Sequence, residues 1–190
     1  MAELLRTHPL EAWAAAFERL PDAVGITPEP FVAMVDVRLS PVGPEASAAL
    51  GVDLPAAPNT WVASGTGRAV WLGPDEWLLS STTEVPEDLE ARVRAAVLPL
   101  GGSATDVSAQ RIGLRLTGAR VRDVLAKGCS IDLHPRSFGR GSSAQTALGQ
   151  AGIVLLALGD AGDDYVVLVR SSFAGYLADW LLDAALEFTG

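Results

Sequence analysis

The sequence predicts an α+β fold in which two pseudo-symmetric βαββα-like halves combine mostly antiparallel sheets with packed helices. In residues 106–138, apolar side chains first alternate with polar ones and then recur at helical spacing (Ile112, Leu114 and Leu116, then Val121, Val124 and Leu125). This change of period indicates a half-buried strand that runs into a short helix. Lys127-Gly128 supplies a cation and a left-handed stop at the helix end. Residues 106–138 therefore read as a strand, a helix and the start of another strand.

The same order of elements occurs earlier in the chain. Residues 37–54 match residues 114–133 around Arg38 and Arg115, and again at the two Asp-Leu pairs. Each copy is followed by an apolar hairpin and a helix, at 69–80 and 87–98 in the first copy and at 152–170 and 172–188 in the second. Two short apolar strands can match by accident, but the shared order of four elements favours an internal duplication.

The N-terminal residues lie outside both repeats. Apolar residues from Leu10 to Leu20 recur at helical spacing and predict an amphipathic helix. Its stripe of Trp13 and Phe17 packs either on the body of the protein or on another chain. Residues 21–30 carry three prolines and a glycine, which indicates a connection. The predicted division within a single globular unit is an N-terminal helix and linker at 1–30, a first half at 31–100 and a second half at 101–190.

In the first half, a valine-rich strand at 31–39 precedes an antiparallel meander. Its strands are separated by Ser64-Gly65-Thr66-Gly67 and by Gly73-Pro74-Asp75-Glu76, residues that supply the backbone angles of tight turns. Residues 65–68 are rich in glycine but lack the Gly-Lys-Ser/Thr ending and the strand-loop-helix setting of a phosphate-binding loop. A helix over 87–98 follows Pro86.

In the second half, residues 101–103 are predicted to link the two repeats. Residues 135–145 are polar, with two glycines and paired serines, and are expected to form a flexible loop or a surface that orders on contact. An apolar hairpin over 153–169 precedes a last helix with a wide apolar face, for which Ser171 or Ser172 is the expected N-cap.

Composition excludes several classes of function. One cysteine and two histidines provide neither a disulfide framework nor a zinc or iron cluster. Residues 1–20 contain three glutamates and no continuous apolar core, which argues against a signal peptide, and no other segment has the ~20 unbroken apolar residues of a membrane span. We therefore expect a soluble, cytoplasmic protein that does not contact a membrane.

The formal net charge of -9 argues against sequence-independent binding of nucleic acid, which needs clustered Lys and Arg. Half of the basic residues nevertheless fall within one stretch of the chain (Arg111, Arg115, Arg120, Arg122, Lys127, Arg136 and Arg140). This basic cluster forms either a solvated face with ion pairs or a contact with an acidic partner subunit or an anionic ligand.

Residues able to carry chemistry are few. Cys129 follows a helix-ending glycine, where a thiolate is disfavoured, and is predicted to be an inert packed thiol. His134 has no partner that would make it a base. Asp106 and Asp132 lie at strand ends, where aspartate most often caps turns; a catalytic carboxylate is the alternative. No dinucleotide fingerprint follows any strand. The residues alone therefore favour a binding or structural subunit.

Five stretches, in order across about residues 30–186, resemble the gamma-subunit family of heterotetrameric sarcosine oxidases. They are LGPDEWLL at 72–79, DVSAQR at 106–111, VLAKGCSIDLHP at 124–135, QTALGQAG at 145–152 and VRSSF at 169–173. The resemblance implies the fold of the N-terminal part of the glycine-cleavage T-protein, an aminomethyltransferase, with two repeated halves related by pseudo-symmetry. The T-protein's folate-binding tyrosine and acidic pair are not matched in this chain, so folate binding is not transferred to it.

By the same resemblance, the assembled enzyme oxidatively demethylates sarcosine to glycine and forms hydrogen peroxide. The methyl carbon leaves as 5,10-methylenetetrahydrofolate or as formaldehyde. FAD, FMN, NAD and tetrahydrofolate belong to the alpha and beta subunits and zinc to delta, so that this chain itself holds no catalytic, cofactor-binding or metal-binding residue. Two alternatives stay open: a stand-alone folate-dependent one-carbon transferase, and a gamma subunit of an oxidase for another N-methyl amine such as dimethylglycine.

The resemblance also implies partners, namely the alpha, beta and delta subunits, with alpha contacted most directly. Arginine and tryptophan are typical anchors of protein interfaces. We therefore predict that a subunit interface includes Trp13, Trp61, Arg136 and Arg140.

Overall fold

Residues 7–40 and 43–189 are described by the computed structural model, and within them ten strands form two five-stranded antiparallel sheets. The strands are β1 (Gly25–Pro28), β2 (Ala33–Arg38), β3 (Trp61–Ser64), β4 (Gly67–Gly73), β5 (Glu76–Ser81), β6 (Ser103–Asp106), β7 (Arg111–Thr117), β8 (Ser143–Leu148), β9 (Ala151–Ala157) and β10 (Asp164–Arg170). Sheet 1 has the order β6-β2-β5-β4-β3, and sheet 2 has the order β1-β7-β10-β9-β8.

One helix precedes β1, and the others follow β2, β5, β7 and β10. They are α1 (Ala14–Phe17), α2 (Pro44–Leu50), α3 (Pro86–Val97), α4 (Val121–Ala126) and α5 (Ala174–Ala185), with 3-10 turns before α1, after α3 and on both sides of α5. α2 and α3 open with proline at the first helical position, where the missing N–H leaves no donor unsatisfied. α2 ends at Gly51, whose φ of 66° is the left-handed stop that glycine adopts without strain.

The two sheets correspond strand for strand. β2 matches β7, and the following α-helix, three strands and second helix occur in the same order in both halves. The leading strands are exchanged, because β1 precedes β2 in the chain but pairs with β7, whereas β6 precedes β7 but pairs with β2. The predicted α+β fold with pseudo-symmetric halves is confirmed, and each half is a βαβββα unit with an exchanged leading strand.

The sheets pack face to face, and the helices cover their outer faces. Side chains alternate along each strand, so that Val166 and Leu168 of β10 belong to the core between the sheets, whereas Val167 and Val169 belong to the core under the helices. In the part of the chain that the structure describes, the sheet-sheet core takes four buried residues from each sheet: Met34, Val70, Leu72, Leu78, Val154, Leu156, Val166 and Leu168. The result is a four-layer arrangement of helices, sheet 1, sheet 2 and helices.

The two sheets are also joined edge to edge. Thr60, before β3, and Ser142, before β8, form an isolated antiparallel bridge. The N–H of Trp61 donates to the carbonyl of Gly141 at 2.9 Å, and the N–H of Ser143 donates to the carbonyl of Asn59 at 2.8 Å. Asn59 and Gly141 both have a positive φ, 58° and 86°. These reciprocal bonds between equivalent positions indicate an approximate twofold relation between the halves.

Several predicted boundaries were wrong, mostly at short edge strands. Residues 21–30 contain β1 as well as a connection, residues 101–103 run directly into β6, and residues 135–145 become β8 at Ser143. The strand predicted to start before residue 138 is absent, because no strand begins in the described structure between the end of α4 and Ser143. β1 and β8 are polar or proline-containing because each lies at a sheet edge, where such residues are tolerated.

The expected N-cap of the last helix was also wrong. Ser171 and Ser172 belong to a 3-10 turn, and the N-cap position of α5 is Phe173 without a side-chain cap. The Ser171 hydroxyl instead donates to the carbonyl of Ala109 at 2.7 Å. Among the residues described, no helix is long and apolar enough to span a bilayer.

Candidate functional site

The loop between α4 and β8 carries two of the predicted interface residues, Arg136 and Arg140, both exposed. Leu133 and Phe138 of this loop are buried in the helix-side core of sheet 2 and anchor it. The carboxylate of Asp132 accepts hydrogen bonds from the N–H of His134 at 2.9 Å and from the Ser137 hydroxyl at 2.6 Å. The loop therefore presents its arginines from an ordered backbone.

The two candidate catalytic carboxylates act as turn caps. The hydroxyl of Ser137, followed by the backbone N–H of His134, lowers the pKa of Asp132 below its ordinary value, so this carboxylate is ionised at neutral pH. Asp106 accepts from both the N–H and the hydroxyl of Ser108, at 2.9 and 2.6 Å. Both arrangements are typical of aspartate in turns.

Most of the basic cluster is used in ion pairs. Four of its seven members pair with an acidic residue: Arg115 with Asp164, Arg120 with Asp123, Lys127 with Glu187, and Arg140 with Asp160 at 3.9 Å. Burial, followed by the neighbouring Arg170, lowers the pKa of Arg111. Within residues 7–40 and 43–189, Arg111, Arg122 and Arg136 form no ion pair. A solvated, paired face thus describes most of the cluster, and Arg136 remains available for an external contact.

The structure separates the two predicted interface tryptophans. Trp13 lies against α5, where its indole N–H donates to the Asp179 carboxylate at 2.7 Å. Trp61 packs against the sheet-sheet core, and its indole N–H donates to the carbonyl of Ala157 at 3.0 Å. Since Trp61 also bonds to Gly141, it lies beside the arginine loop, whereas Trp13 does not. Both rings are half-buried by their own chain.

No assembled set of reactive groups is found in the described part of the chain. Cys129 is a buried free thiol, and exposed His134 accepts a hydrogen bond from the N–H of Arg136 at its Nδ1 atom, 3.2 Å away. No group of three or more His, Cys, Asp or Glu side chains within 7–40 and 43–189 could hold a metal ion.

A groove that the sequence did not predict lies where the two exchanged connections meet. Residues 29–32 lead from β1 to β2 and residues 107–110 lead from β6 to β7, and between them is a cavity of about 420 Å³. We call it the crossover groove; its lining includes Phe31, Val32, Glu87, Asp106, Ala109 and Ile112. It was missed because its residues come from both halves and form no contiguous motif.

An ion pair behind the crossover groove connects the two sheets. The guanidinium of Arg68 on β4 donates to both carboxylate oxygens of Glu29, at 3.1 and 2.7 Å. Glu29 follows β1 in sheet 2 and lies over Gly113, where a Cβ atom would be 2.3 Å from its carboxylate. The glycine therefore makes room for a bidentate contact, the stronger geometry for such a pair.

Comparison with known proteins gives consistent matches. The family model described as the sarcosine oxidase, gamma subunit family matches residues 41–187. The chain is 36% identical over 193 residues to the sarcosine oxidase subunit gamma of Corynebacterium sp. (strain U-96), covering 97% of this chain and 92% of that protein. It is also 36% identical to the subunit gamma of Arthrobacter sp. over 192 residues, with the same coverage.

Solved structures show the same relation. A chain of the heterotetrameric sarcosine oxidase from Corynebacterium sp. U-96, in complex with pyrrole 2-carboxylate, matches with a TM-score of 0.86 and 33% identity over 97% of both chains. The glycine cleavage system aminomethyltransferase T from Bartonella henselae matches with a TM-score of 0.61 and 15% identity over 88% of this chain and 48% of that one, which shows the fold alone. The chain therefore belongs to the sarcosine oxidase gamma-subunit family.

Proposed function

We propose that this chain is the non-catalytic gamma subunit of a heterotetrameric sarcosine oxidase, an oxidoreductase complex that demethylates sarcosine to glycine. The observation that carries the proposal is the match over 97% of both chains, at a TM-score of 0.86, to a chain of a heterotetrameric sarcosine oxidase. In the complex, the methyl carbon leaves as 5,10-methylenetetrahydrofolate or formaldehyde, with formation of hydrogen peroxide.

The proposal assigns the chemistry to the other subunits. FAD, FMN, NAD and tetrahydrofolate belong to alpha and beta and zinc to delta, in the cytoplasm. The contribution of this chain is its folded surface. A subunit that binds its partners only when they are folded stabilises them by mass action.

For the contact with the partners, we propose the arginine loop with Arg136 and Arg140. Its ordered backbone supports this role, since a preorganised loop loses less conformational entropy on binding. Trp61 lies beside the loop and adds an aromatic surface to it. The interface role of Trp13, which lies against α5, stays a prediction. We also propose that residues 1–30, 31–100 and 101–190 form one globular unit.

The test is co-expression of the four subunits with an affinity tag on this chain. We expect the other three subunits to be retained, and the purified assembly to oxidise sarcosine with release of hydrogen peroxide. A matched preparation that lacks this chain should yield less intact complex. Retention of no partner would overturn the proposal. Faster turnover of dimethylglycine or another N-methyl amine than of sarcosine would mean that this amine, and not sarcosine, is the substrate of the complex.

The T-protein-like fold makes a stand-alone folate-dependent transferase the second candidate. Calorimetric titration of the purified chain with tetrahydrofolate separates the two proposals. We expect no heat of binding; saturable heat with one site per chain would favour the transferase.

A further inference from the structure

Exposed apolar side chains gather at one end of the sandwich. At this end β2 and β7 begin, β5, β6 and β10 finish, and the crossover groove opens. Six large hydrophobic side chains are exposed in the described part of the chain, and four of them are in the segments that begin β2, α3 and α5: Phe31, Val85, Phe173 and Tyr176. The other two, Leu98 and Leu186, follow the opposite ends of α3 and α5. Such a concentration is typical of a protein-binding surface.

The described residues of the groove carry charge of one sign. Glu87 and Asp106 line it, and none of the described lining residues is basic. Neither carboxylate makes an ion pair with any residue in the described ranges. Arg111 and Arg170 are near but do not line the groove; Arg111 lines a smaller adjoining cavity with His8, Glu29 and Phe31. An occupant with a positive charge would find two unneutralised partners.

The walls of the groove are fixed by hydrogen bonds between the start of β2 and the crossover segment at residues 107–110. The N–H of Met34 donates to the Ser108 hydroxyl at 2.9 Å, and the N–H of Val107 donates to the carbonyl of Met34 at 2.9 Å. Ser171, which also lines the groove, donates a hydrogen bond from its hydroxyl to the carbonyl of Ala109. The groove is therefore present before any partner binds, which lowers the entropic cost of association.

We propose that the crossover groove binds an extended segment of a partner subunit that carries an aromatic or aliphatic side chain next to a lysine or arginine. The apolar side chain would lie on Val32 and Ile112, and the basic group would pair with Glu87 and Asp106. A second copy of this chain is a poor occupant, because each copy has a formal charge of -9 and the copies repel. This inference rests on the proposed function and names the chemistry of the partner.

Assembly of the four co-expressed subunits tests the groove with surface variants. Phe31→Asp places a charge on the apolar rim, Glu87→Lys reverses one rim charge, and Leu98→Asp is the matched control at the other end of α3. Phe31 is 46% exposed and Leu98 is 65% exposed, so neither change disturbs the core. The dissociation constant of this chain is measured by dilution and mass photometry at two salt concentrations.

We expect Phe31→Asp to raise the dissociation constant at least tenfold and Glu87→Lys at least threefold, the latter effect shrinking in high salt, while Leu98→Asp stays within twofold. If both groove variants assemble like Leu98→Asp, the docking proposal is wrong although the subunit assignment stands. If the unmodified chain does not assemble, both proposals fail.

Photocrosslinking identifies the occupant. A benzophenone amino acid in place of exposed Ala109 should capture a partner-subunit peptide that contains lysine or arginine beside an apolar residue. Capture of a second copy of this chain, or of an acidic peptide, would contradict the proposed chemistry.

Discussion

The outer helices of the two halves occupy equivalent positions but are used differently. α3, over sheet 1, has a charged outer face on which Arg92 pairs with Glu84 and Arg94 pairs with Glu90. α5, over sheet 2, has an apolar face beneath the N-terminal segment, where Trp13 lies against Gly175. Among the described residues, the helix-side core of sheet 2 holds 27 buried residues against 14 for sheet 1. A duplicated topology has therefore acquired unequal cores, and the extra N-terminal segment covers the more apolar half.

The largest difference in stability is expected between variants of two buried aromatic residues, Trp77 on β5 and Tyr165 on β10. The indole of Trp77 donates to the carbonyl of Pro55 at 2.9 Å, so Trp77→Phe leaves both a cavity and an unpaired carbonyl and should lower the free energy of unfolding by about 3 kcal/mol. The Tyr165 hydroxyl has no partner among the described residues, and burial raises its pKa. Tyr165→Phe should therefore change stability by less than about 1 kcal/mol. Urea unfolding followed by circular dichroism measures both; equal losses would contradict the asymmetry.

A second comparison concerns glycines in the matching strands β4 and β9. A Cβ atom on Gly67 would be 1.8 Å from the carbonyl oxygen of Ser80, whereas one on Gly152 would meet nothing within 4 Å. Gly67→Ala should therefore lower the free energy of unfolding by about 2 kcal/mol, because backbone must move. Gly152→Ala should raise it by roughly 0.5 kcal/mol through the unfolded state. Thermal unfolding of the two variants decides the point, and a harmless Gly67→Ala would show that the β4–β5 hairpin is more adaptable than its geometry implies.

The ion pairs provide a third comparison. Arg68→Met leaves Glu29 unpaired between the sheets, where their side chains are only 24% and 14% exposed, and should cost about 1.5 kcal/mol. Arg115→Met removes a similar bidentate pair with Asp164 that is more exposed to solvent, and should cost under about 1 kcal/mol. A double-mutant cycle with Glu29→Gln isolates the coupling. If Arg68→Met and Arg115→Met lower the free energy of unfolding equally, the position of the Arg68 pair between the sheets adds no stability.

The smallest expected effect is a pH-dependent change in stability at Glu84, which precedes α3 and pairs with Arg92. The Arg92 guanidinium, by its hydrogen bonds, lowers the pKa of Glu84. Because the folded pKa lies below the unfolded one, this stabilisation is complete above the ordinary carboxyl range and is lost as the pH falls through the folded pKa. Glu84→Gln should therefore reduce stability at pH 7 by under about 1 kcal/mol and have a smaller effect in acid. Chemical denaturation at pH 7 and at acid pH checks this. A destabilisation by Glu84→Gln that grew in acid would contradict the predicted direction of the pH dependence.

Residue periodicity predicted much of the fold. Alternation in β7, the continuous apolar run of β10 and helical spacing in α3 and α5 were readable because each element has one buried and one exposed face, or is buried on both. Matching order around Arg38 and Arg115 predicted the two halves. The edge strands β1 and β8 were not readable, since β1 has only four residues and ends in proline and β8 consists mainly of small and polar residues.

Long-range pairing was beyond what the sequence could indicate. Nothing local in residues 25–28 specifies that they pair with β7 rather than with the neighbouring β2, because that choice depends on how the halves assemble. The crossover groove arises from the same exchange and was missed for the same reason. Arg136 was predicted as an exposed cation, whereas the internal hydrogen bonds of Trp13 and Trp61 depend on tertiary contacts with Asp179 and Ala157.

The exchanged leading strands have a consequence for biosynthesis. On the ribosome, β1 emerges long before Thr117, its pairing partner for Gly25, has been translated. Sheet 1 likewise stays open at one edge until β6 is released. Pairings this distant in sequence form slowly and leave strand edges accessible to aggregation in the nascent chain. Chaperones that shield those edges should therefore raise the yield of this subunit more than that of a protein whose sheets close in chain order.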